Sequence, residues 1–487
     1  MAKKIIIIGA GLGALSAAAR LATKGHQVRV YEASNTYGGK AGVLVQGKFR
    51  FDYGPSIVTM KSVYEDLFAE CNENIYDYLN FEPLDPLIKY FFPDGKKFTV
   101  KQDINQFVAD CEKILGVNSK TILSYLKYAQ NLYNNSAEVF LKNSIHDPKF
   151  LLSSKFIKAI PGLVKLDIFR SMHKANSHFF DNPNALLMFD RYATYNGSNP
   201  YQAPAIFNLL AHVEHGMFSY AISGGIRKLA QVIFELCIRK GVKFHFSHKV
   251  EEIMVEGNKV TGVKLSTKDI ISSDIVISNA DIYSTYNKLT KTNKNIKIPS
   301  PDKLSTSALI FYWGIKHSFK QLLYHNIFFS NNYKAEFDSI SEGIYPSNYD
   351  PTIYLNITSK HNKTDAPTGC ENWFVHINVS AKHMDKTSAN KLREKIISKF
   401  NKILNIDISK LIVSEHMRRP QDIERETLST CGAIYGPSSN SISDALSRHP
   451  NKSKKYNGLY LVGGSVHPGA GMPIVTLSGK IVSDLIE

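Results

Sequence analysis

The period of apolar and polar positions changes along this chain, and the changes locate its elements. Lys3 to Ile8 is a short apolar run of β-branched residues ending in glycine, the pattern of a strand buried on both faces. A helical period follows, with Leu15, Ala18, Ala19 and Ala22 on one face and Gly25 as the C-terminal stop. Val28 to Glu32 reads as a second strand, closing on an acid. Far along the chain, Gly458 to Gly464 is a strand running into glycines. A closing helix begins near Pro473, where proline suits the first turn. Its Ile474, Leu477, Ile481 and Leu485 recur at helical spacing and are predicted core.

The turn between the first strand and helix, Gly9-Ala10-Gly11-Leu12-Gly13-Ala14, matches G-x-G-x-x-A. Gly9 permits the tight turn, Gly11 lets a pyrophosphate approach the backbone, and the small Ala14 lets helix and strand pack closely. A dinucleotide pyrophosphate then meets free N–H groups and the positive end of the helix. Glu32, followed by Ala33, is placed to accept hydrogen bonds from an adenosine ribose and would repel a 2′-phosphate, which disfavours NADP. Gly38-Gly39-Lys40-Ala41-Gly42 and Phe51-Asp52-Tyr53-Gly54-Pro55 come soon after. Ser465 to Pro473 forms a second glycine cradle before a helix N-terminus, so the cofactor domain must be assembled from both ends of the chain.

Composition narrows the class. The 487 residues suggest two or three lobes, and 43% apolar with 21% charged is ordinary for a globular protein. No run approaches the roughly 18 apolar residues of a spanning helix. The Ile5–Ile8 run is too short for a signal-peptide core. Five cysteines without a C-x-x-C pair argue against a disulfide framework or a cysteine zinc site, so no metal is expected and a reducing cytosolic compartment fits. The net charge of +16 implies an anionic partner (nucleic acid, an acidic substrate or an anionic membrane surface) or simply a lysine-rich surface.

Residues 61–214 and 291–450 lack glycine fingerprints and read as a substrate lobe inserted into a cofactor domain of residues 1–60, 215–290 and 451–487. Tyr90-Phe91-Phe92 and Phe311-Tyr312-Trp313 read as sheet core, with tunnel lining as the alternative. Between Lys149 and Lys174, Lys155, Lys158, Lys165 and Arg170 interleave with Leu152, Ile157, Ile160 and Phe169 against one acid, Asp167. Pro161 predicts two short amphipathic turns rather than one straight helix. Basic plus apolar is the composition of an interfacial membrane anchor; a helical lid with its lysines in water is the alternative.

A G-G-[RK] segment just after the ribose acid resembles amine-oxidase-like flavoproteins, which implies FAD rather than NAD near Gly38, Gly39 and Lys40. Paired with Val462-Gly463-Gly464-Ser465-Val466-His467-Pro468-Gly469-Ala470-Gly471-Met472-Pro473, the N-terminal fingerprint resembles the bacterial carotenoid desaturase family, phytoene desaturase type. Gly224-Gly225-Ile226 and Ser273 to Asp281 follow that family's order. The resemblance implies an α/β fold: a Rossmann-like FAD domain built from N-terminal, central and C-terminal segments, with an inserted α+β substrate domain. It implies noncovalent FAD, with the Val250 backbone on the adenine side and Gly464, Gly471 and Met472 along the flavin ring. Lys40 stands where phytoene desaturases commonly have Arg. Together with Gly54-Pro55-Ser56 this looks like the branch that introduces the 3,4 double bond into 1-hydroxylated acyclic carotenoid ends.

The expected activity is desaturation of such an end by hydride transfer to flavin. Phytoene desaturation, an amine- or porphyrinogen-oxidase-like enzyme, a flavin-dependent isomerase and a prenyl-protein escort factor are the alternatives. His467 is the one titratable candidate near the chemistry, against a role in shaping the turn before Pro468. No nucleic acid is expected and no electron acceptor is assigned. A carotenoid dissolved in the bilayer implies attachment to the inner face of the cell membrane.

Overall fold

Five parallel strands drawn from three parts of the chain form the first sheet. Their order is Lys243–His245, Gln27–Tyr31, Lys4–Ile8, Ile275–Ser278 and Leu459–Leu461. The computed structural model describes residues 1–54, 56–292, 295–446 and 448–486; Pro55 of the second glycine motif lies outside the described residues. Ile5 and Ile7 pack under the helices Leu12–Thr23 and Ile226–Arg239, whereas Ile6 and Ile8 pack against the antiparallel strands Val250–Glu256 and Lys259–Leu265. Both faces of the central strand are therefore covered, which is why its apolar run is unbroken.

The chain's two far segments meet directly. A Cβ on Gly479 would lie 2.6 Å from the Gly13 carbonyl oxygen, and Ser16 Oγ donates to the Thr476 carbonyl at 2.6 Å. Only glycine lets the helix Met472–Leu485 approach Leu12–Thr23 so closely.

A second sheet of seven strands carries the other lobe, in the order Ile412–Arg418, Ser307–Ile315, Glu371–Val379, Ile353–Ile357, His325–Phe328, Ile88–Phe91 and Lys97–Val100. One face buries Leu309, Phe311, Trp313 and Val375 with Leu392 and Phe400 of the helix Lys386–Leu404. On the other, Ile310, His376, Tyr354 and Ile327 stand in one cross-strand row and line a large cavity. The two aromatic triplets are core, all six side chains being buried. Phe49 and Phe51 pack against Tyr312 and Phe374 of this sheet, and Val58–Thr59 and Phe81–Pro83 both pair with Ser219–Ile222, which ties the two lobes together.

Two expectations need correction. The basic segment forms the helices Pro148–Leu151 and Ser154–Leu163, but the break falls at Ser153, whose hydroxyl accepts from Phe156 N–H and starts the second helix. Pro161 sits inside that helix near its end, where it forgoes one hydrogen bond on an exposed turn. Leu477 and Ile481 are core, but Leu485 is half-buried and Ile474 lines the cavity, because the first turn of its helix faces inward. Among the described residues no helix is long and apolar enough to cross a membrane, and all five cysteines are free.

Candidate active site

Glycine turns from three segments converge at the C-terminal edge of the parallel sheet. Gly9, at φ +89°, turns the chain out of the first strand, and the Leu12–Thr23 helix starts at Gly11 with neither a side-chain cap nor an acid in its first turn. Its first N–H groups are thereby left for a ligand. The Glu32 carboxylate accepts from Ala10 N–H at 2.7 Å and Ser34 N–H at 2.8 Å. It thus braces the turn, and each oxygen retains a lone pair for a ribose hydroxyl. Gly38 N–H donates to the Ala10 carbonyl at 2.8 Å, and a Cβ on Gly39 would lie 3.4 Å from Gly11 Cα. From the third segment, Asn279 Nδ2 donates to the Val462 carbonyl at 3.1 Å, and a Cβ on Gly11 would meet its Oδ1 at 2.5 Å.

Gly9, Ala10, Gly11, Leu12, Gly13, Glu32, Ala33, Gly38, Gly39, Lys40, Val250, Gly464, Gly471 and Met472 all line one cavity of about 2050 Å³. Ala14 does not; it is fully buried between helix and sheet, the packing task its size suits. Ligand sites commonly occupy about 300–1,000 Å³, so this hollow has room for two occupants.

One half of the cavity is basic. Arg227, Lys249, Lys288, Arg418, Arg425 and Arg448 outnumber the nearby Glu32, Asp281 and Glu426. Lys40 Nζ donates to the Ile434 carbonyl at 3.0 Å; its side chain opens onto the cavity, and the protein crowded around that hollow pushes its pKa down to about 8 despite Asp281, with Arg418 lowering it further. Arg448 donates to the carbonyls of Gly464 at 2.8 Å and Tyr435 at 3.2 Å, stapling the C-terminal cradle. Arg448 carried no sequence signal, and Asn279 entered only as one residue of the Ser273–Asp281 segment, since each acts by bonding a backbone far away in the chain.

The other half is apolar, with Ile57, Met60, Phe140, Leu166, Ile168 and Leu210 around the sheet floor. A polar cluster interrupts it. Arg191 donates to both Glu214 oxygens at 2.6 and 2.8 Å and to Tyr90 Oη at 2.6 Å, while the Tyr192 and Tyr195 hydroxyls also donate to Glu214. Burial alone would raise the Glu214 pKa; Arg191 and these hydrogen bonds hold it down at about 2.

His467 lines the cavity but is buried, and its Nε2 lies 2.8 Å from the Asn143 carbonyl beside a cis peptide to Pro468. Burial pushes its pKa down to about 4, so at neutral pH the uncharged ring donates to Asn143. That bond ties the C-terminal cradle to the turn that follows the helix Ser119–Phe140.

A nucleotide cradle assembled from distant segments, opening into a long apolar hollow under a second lobe, defines a dinucleotide-fold oxidoreductase. Residues 15–486 match the family model described as flavin containing amine oxidoreductase. A 1-hydroxycarotenoid 3,4-desaturase of Flavobacterium sp. (strain P99-3) is 41% identical over 488 residues, covering 99% of each chain. A 4,4′-diapolycopene oxygenase of Methylomonas sp is 32% identical over 491 residues, covering 99% of this chain and 98% of that one. Putrescine oxidase bound to putrescine shares the fold at a TM-score of 0.61 with 13% identity, covering 100% of this chain and 99% of that one. The chain belongs to the flavin containing amine oxidoreductase family, in its carotenoid desaturase group, and is an FAD-dependent oxidoreductase. Its residues fit FAD: uncapped helix N–H groups and a basic wall suit a diphosphate, and the turns leave no room for side chains where the backbones meet.

Proposed function

We propose that this enzyme introduces a C=C bond into an acyclic carotenoid end, at the 3,4 position of a 1-hydroxylated substrate. The observation that carries the reading is the single cavity, continuous from the glycine cradle into an apolar half large enough for a polyene. Identity of 41% to a 1-hydroxycarotenoid 3,4-desaturase over nearly the whole of both chains supports the same bond.

In this reading Gly9 to Gly13 hold the pyrophosphate, with Ala14 packing the helix behind them, and Glu32 holds the ribose, with Ala33 beside it. Gly38, Gly39 and Lys40 flank the ribityl chain and the pyrophosphate, Val250 meets the adenine side, and Gly464, Gly471 and Met472 border the flavin ring. FAD held by these residues would supply the hydride acceptor, while the adjacent carbon loses a proton. The chain orients the polyene in the apolar half and excludes water. It need not supply a strong base, because positive charge beside a polyene is delocalised along it. His467 serves the fold of the cradle in this scheme. Supplied in liposomes with FAD, a 1-hydroxylated carotenoid should be desaturated faster than phytoene. Faster conversion of phytoene would overturn the 3,4 assignment, and turnover of amines alone would overturn the carotenoid reading.

Substrate entry is proposed at the membrane surface through residues 149–174. Leu163, Leu166 and Ile168 line the cavity, while Leu152, Val164 and Phe169 of the same segment are 82, 82 and 90% exposed. Lys155, Lys158 and Lys165 are also exposed, and each basic group near an anionic surface contributes about 1 kcal/mol, screened by salt. This arrangement suits peripheral attachment to the inner, anionic face of the cell membrane. Changing all three lysines to Glu should weaken sedimentation with anionic liposomes by at least tenfold and slow turnover of liposomal substrate, with flavin content unchanged. Unaltered liposome binding would place the entrance elsewhere.

The Lys40 assignment predicts a pH dependence. A bound diphosphate favours the charged ammonium, so FAD affinity should be highest below about pH 8 and fall as pH rises above it. Lys40→Arg should flatten that profile between pH 7 and 9 in a flavin titration. A flat profile in the unsubstituted protein would remove Lys40 from the diphosphate.

A further inference from the structure

One arm of the Arg191 guanidinium is unused. Nε donates to Tyr90 Oη and Nη2 to both Glu214 oxygens, but Nη1 donates to none of the described residues. Nor is it sealed off. Arg20 Nη2 is an unpartnered arginine nitrogen without accessible surface, whereas Arg191 Nη1 retains some, on a side chain that is 4% exposed and lines the cavity. Its N–H groups therefore open on the hollow. The Tyr90, Tyr192 and Tyr195 ring centres lie 5.2, 4.6 and 5.5 Å from the guanidinium carbon, and the two bonds to Glu214 fix its plane, so the free arm is held in one direction. A cationic donor in an apolar wall costs free energy until an acceptor answers it. Because Arg191 and Glu214 together are neutral, a neutral oxygen suits the site; a carboxylate would leave a second, unpaired negative charge beside Glu214.

Three contacts set this pair beside the segments assigned to the flavin ring. Val213, the neighbour of Glu214, packs with Ile474 and Leu477 of the helix that begins at Met472. The short helix Arg191–Asn196 ends at Gly197, where a Cβ would lie 2.7 Å from the Tyr435 ring, and Arg448 Nη1 donates to the carbonyls of both Tyr435 and Gly464. On the sheet, Tyr354, bonded to His325 Nδ1 at 2.8 Å and to the Ser56 hydroxyl, lies within reach of both charges. In a 1-hydroxylated carotenoid the hydroxyl-bearing carbon is two carbons from the 3,4 bond. A group that recognises this hydroxyl must therefore stand on the flavin side of the apolar half, where these contacts put Arg191.

We infer that Arg191 Nη1 donates a hydrogen bond to the tertiary hydroxyl oxygen of the substrate end and sets the preference for hydroxylated carotenoids, with Glu214 as its positioning residue. The inference rests on the desaturase reading above. The test compares kcat/KM for a 1-hydroxylated carotenoid with that for the same carotenoid lacking the hydroxyl, both in liposomes with FAD. Arg191→Lys keeps a cation for Glu214 but has three N–H donors instead of five, which the Glu214 oxygens and Tyr90 use up. It should lower the ratio about tenfold, through loss on the hydroxylated substrate alone. Exchanging the pair together, Arg191→Met with Glu214→Gln, leaves no charge unpaired and should lower the ratio likewise. An unchanged ratio in either variant, with the circular dichroism and flavin content of the parent, overturns the inference and leaves the desaturase reading intact. A third arm needs no substitution: the 1-methoxy analogue keeps the acceptor oxygen, so the parent enzyme should prefer it to the carotenoid lacking the oxygen. Equal kcat/KM for those two overturns the inference even if neither variant folds. Failure of the parent enzyme to turn over any of the three carotenoids overturns both readings.

Discussion

Replacing Gly11 with Val is expected to yield a folded protein that purifies without flavin. The backbone at Gly11 is extended, with φ −75° and ψ 171°, so a side chain brings no conformational penalty there. The obstacle is space. A Cβ would lie 2.5 Å from Asn279 Oδ1, an amide already tied to the Val462 carbonyl, so either the turn or the amide that bridges it to the C-terminal segment must shift. The loss should exceed a hundredfold in FAD affinity, read as flavin absorbance per mole of protein and by titration with added FAD. Far-ultraviolet circular dichroism should stay close to that of the parent. Full flavin content in a folded Gly11→Val protein would remove the pyrophosphate from this turn.

The second large effect concerns stability. Arg191→Leu should destabilise the protein by about 3–5 kcal/mol, because it leaves the Glu214 carboxylate buried and without its cation. The pH dependence carries the diagnosis. In the parent, Glu214 has a pKa near 2, below that of an unfolded glutamate, so its stabilising contribution is present above the unfolded value and is lost as pH falls toward 2. In the variant the uncompensated carboxyl is raised instead, and protonation relieves it. The stability gap between the two proteins should therefore be widest near neutral pH and narrow as pH falls toward 4, in urea or thermal unfolding. A gap below about 1 kcal/mol at pH 7 would mean that the tyrosine hydroxyls alone sustain the buried charge.

These residues show what sequence could and could not convey. The glycine turns were legible because the tasks are local: Gly9 must turn, Gly11 and Gly39 must let backbones approach, and each carries its neighbours in a fixed order. In the parallel sheet, Lys4–Ile8 and Leu459–Leu461 were legible from apolar runs that lead into glycine, whereas Gln27–Tyr31 alternates and Lys243–His245 carries no such run. Arg191 and Glu214 gave no such sign. They are separated in sequence, each looks like an ordinary surface charge, and only the fold buries them against each other. His325 and Tyr354 were equally silent, since they meet across strands whose register no local pattern reports. The helical break at Ser153 was misplaced to Pro161 because proline's disruption is obvious from sequence, whereas an N-cap succeeds only where the following turn accepts it.

The contact between Gly479 and Gly13 bears on biosynthesis. The first helix is finished at residue 23, yet its partner helix spans residues 472–485. At a synthesis rate of about 5–20 residues per second, roughly 20 seconds to a minute and a half separates them. Throughout that interval the nascent chain holds a half-built nucleotide fold whose apolar flank has nothing to cover it. Cofactor capture must wait for the late helix to leave the ribosome, so the supply of flavin and the shelter given to the growing chain together govern how much active enzyme a cell obtains.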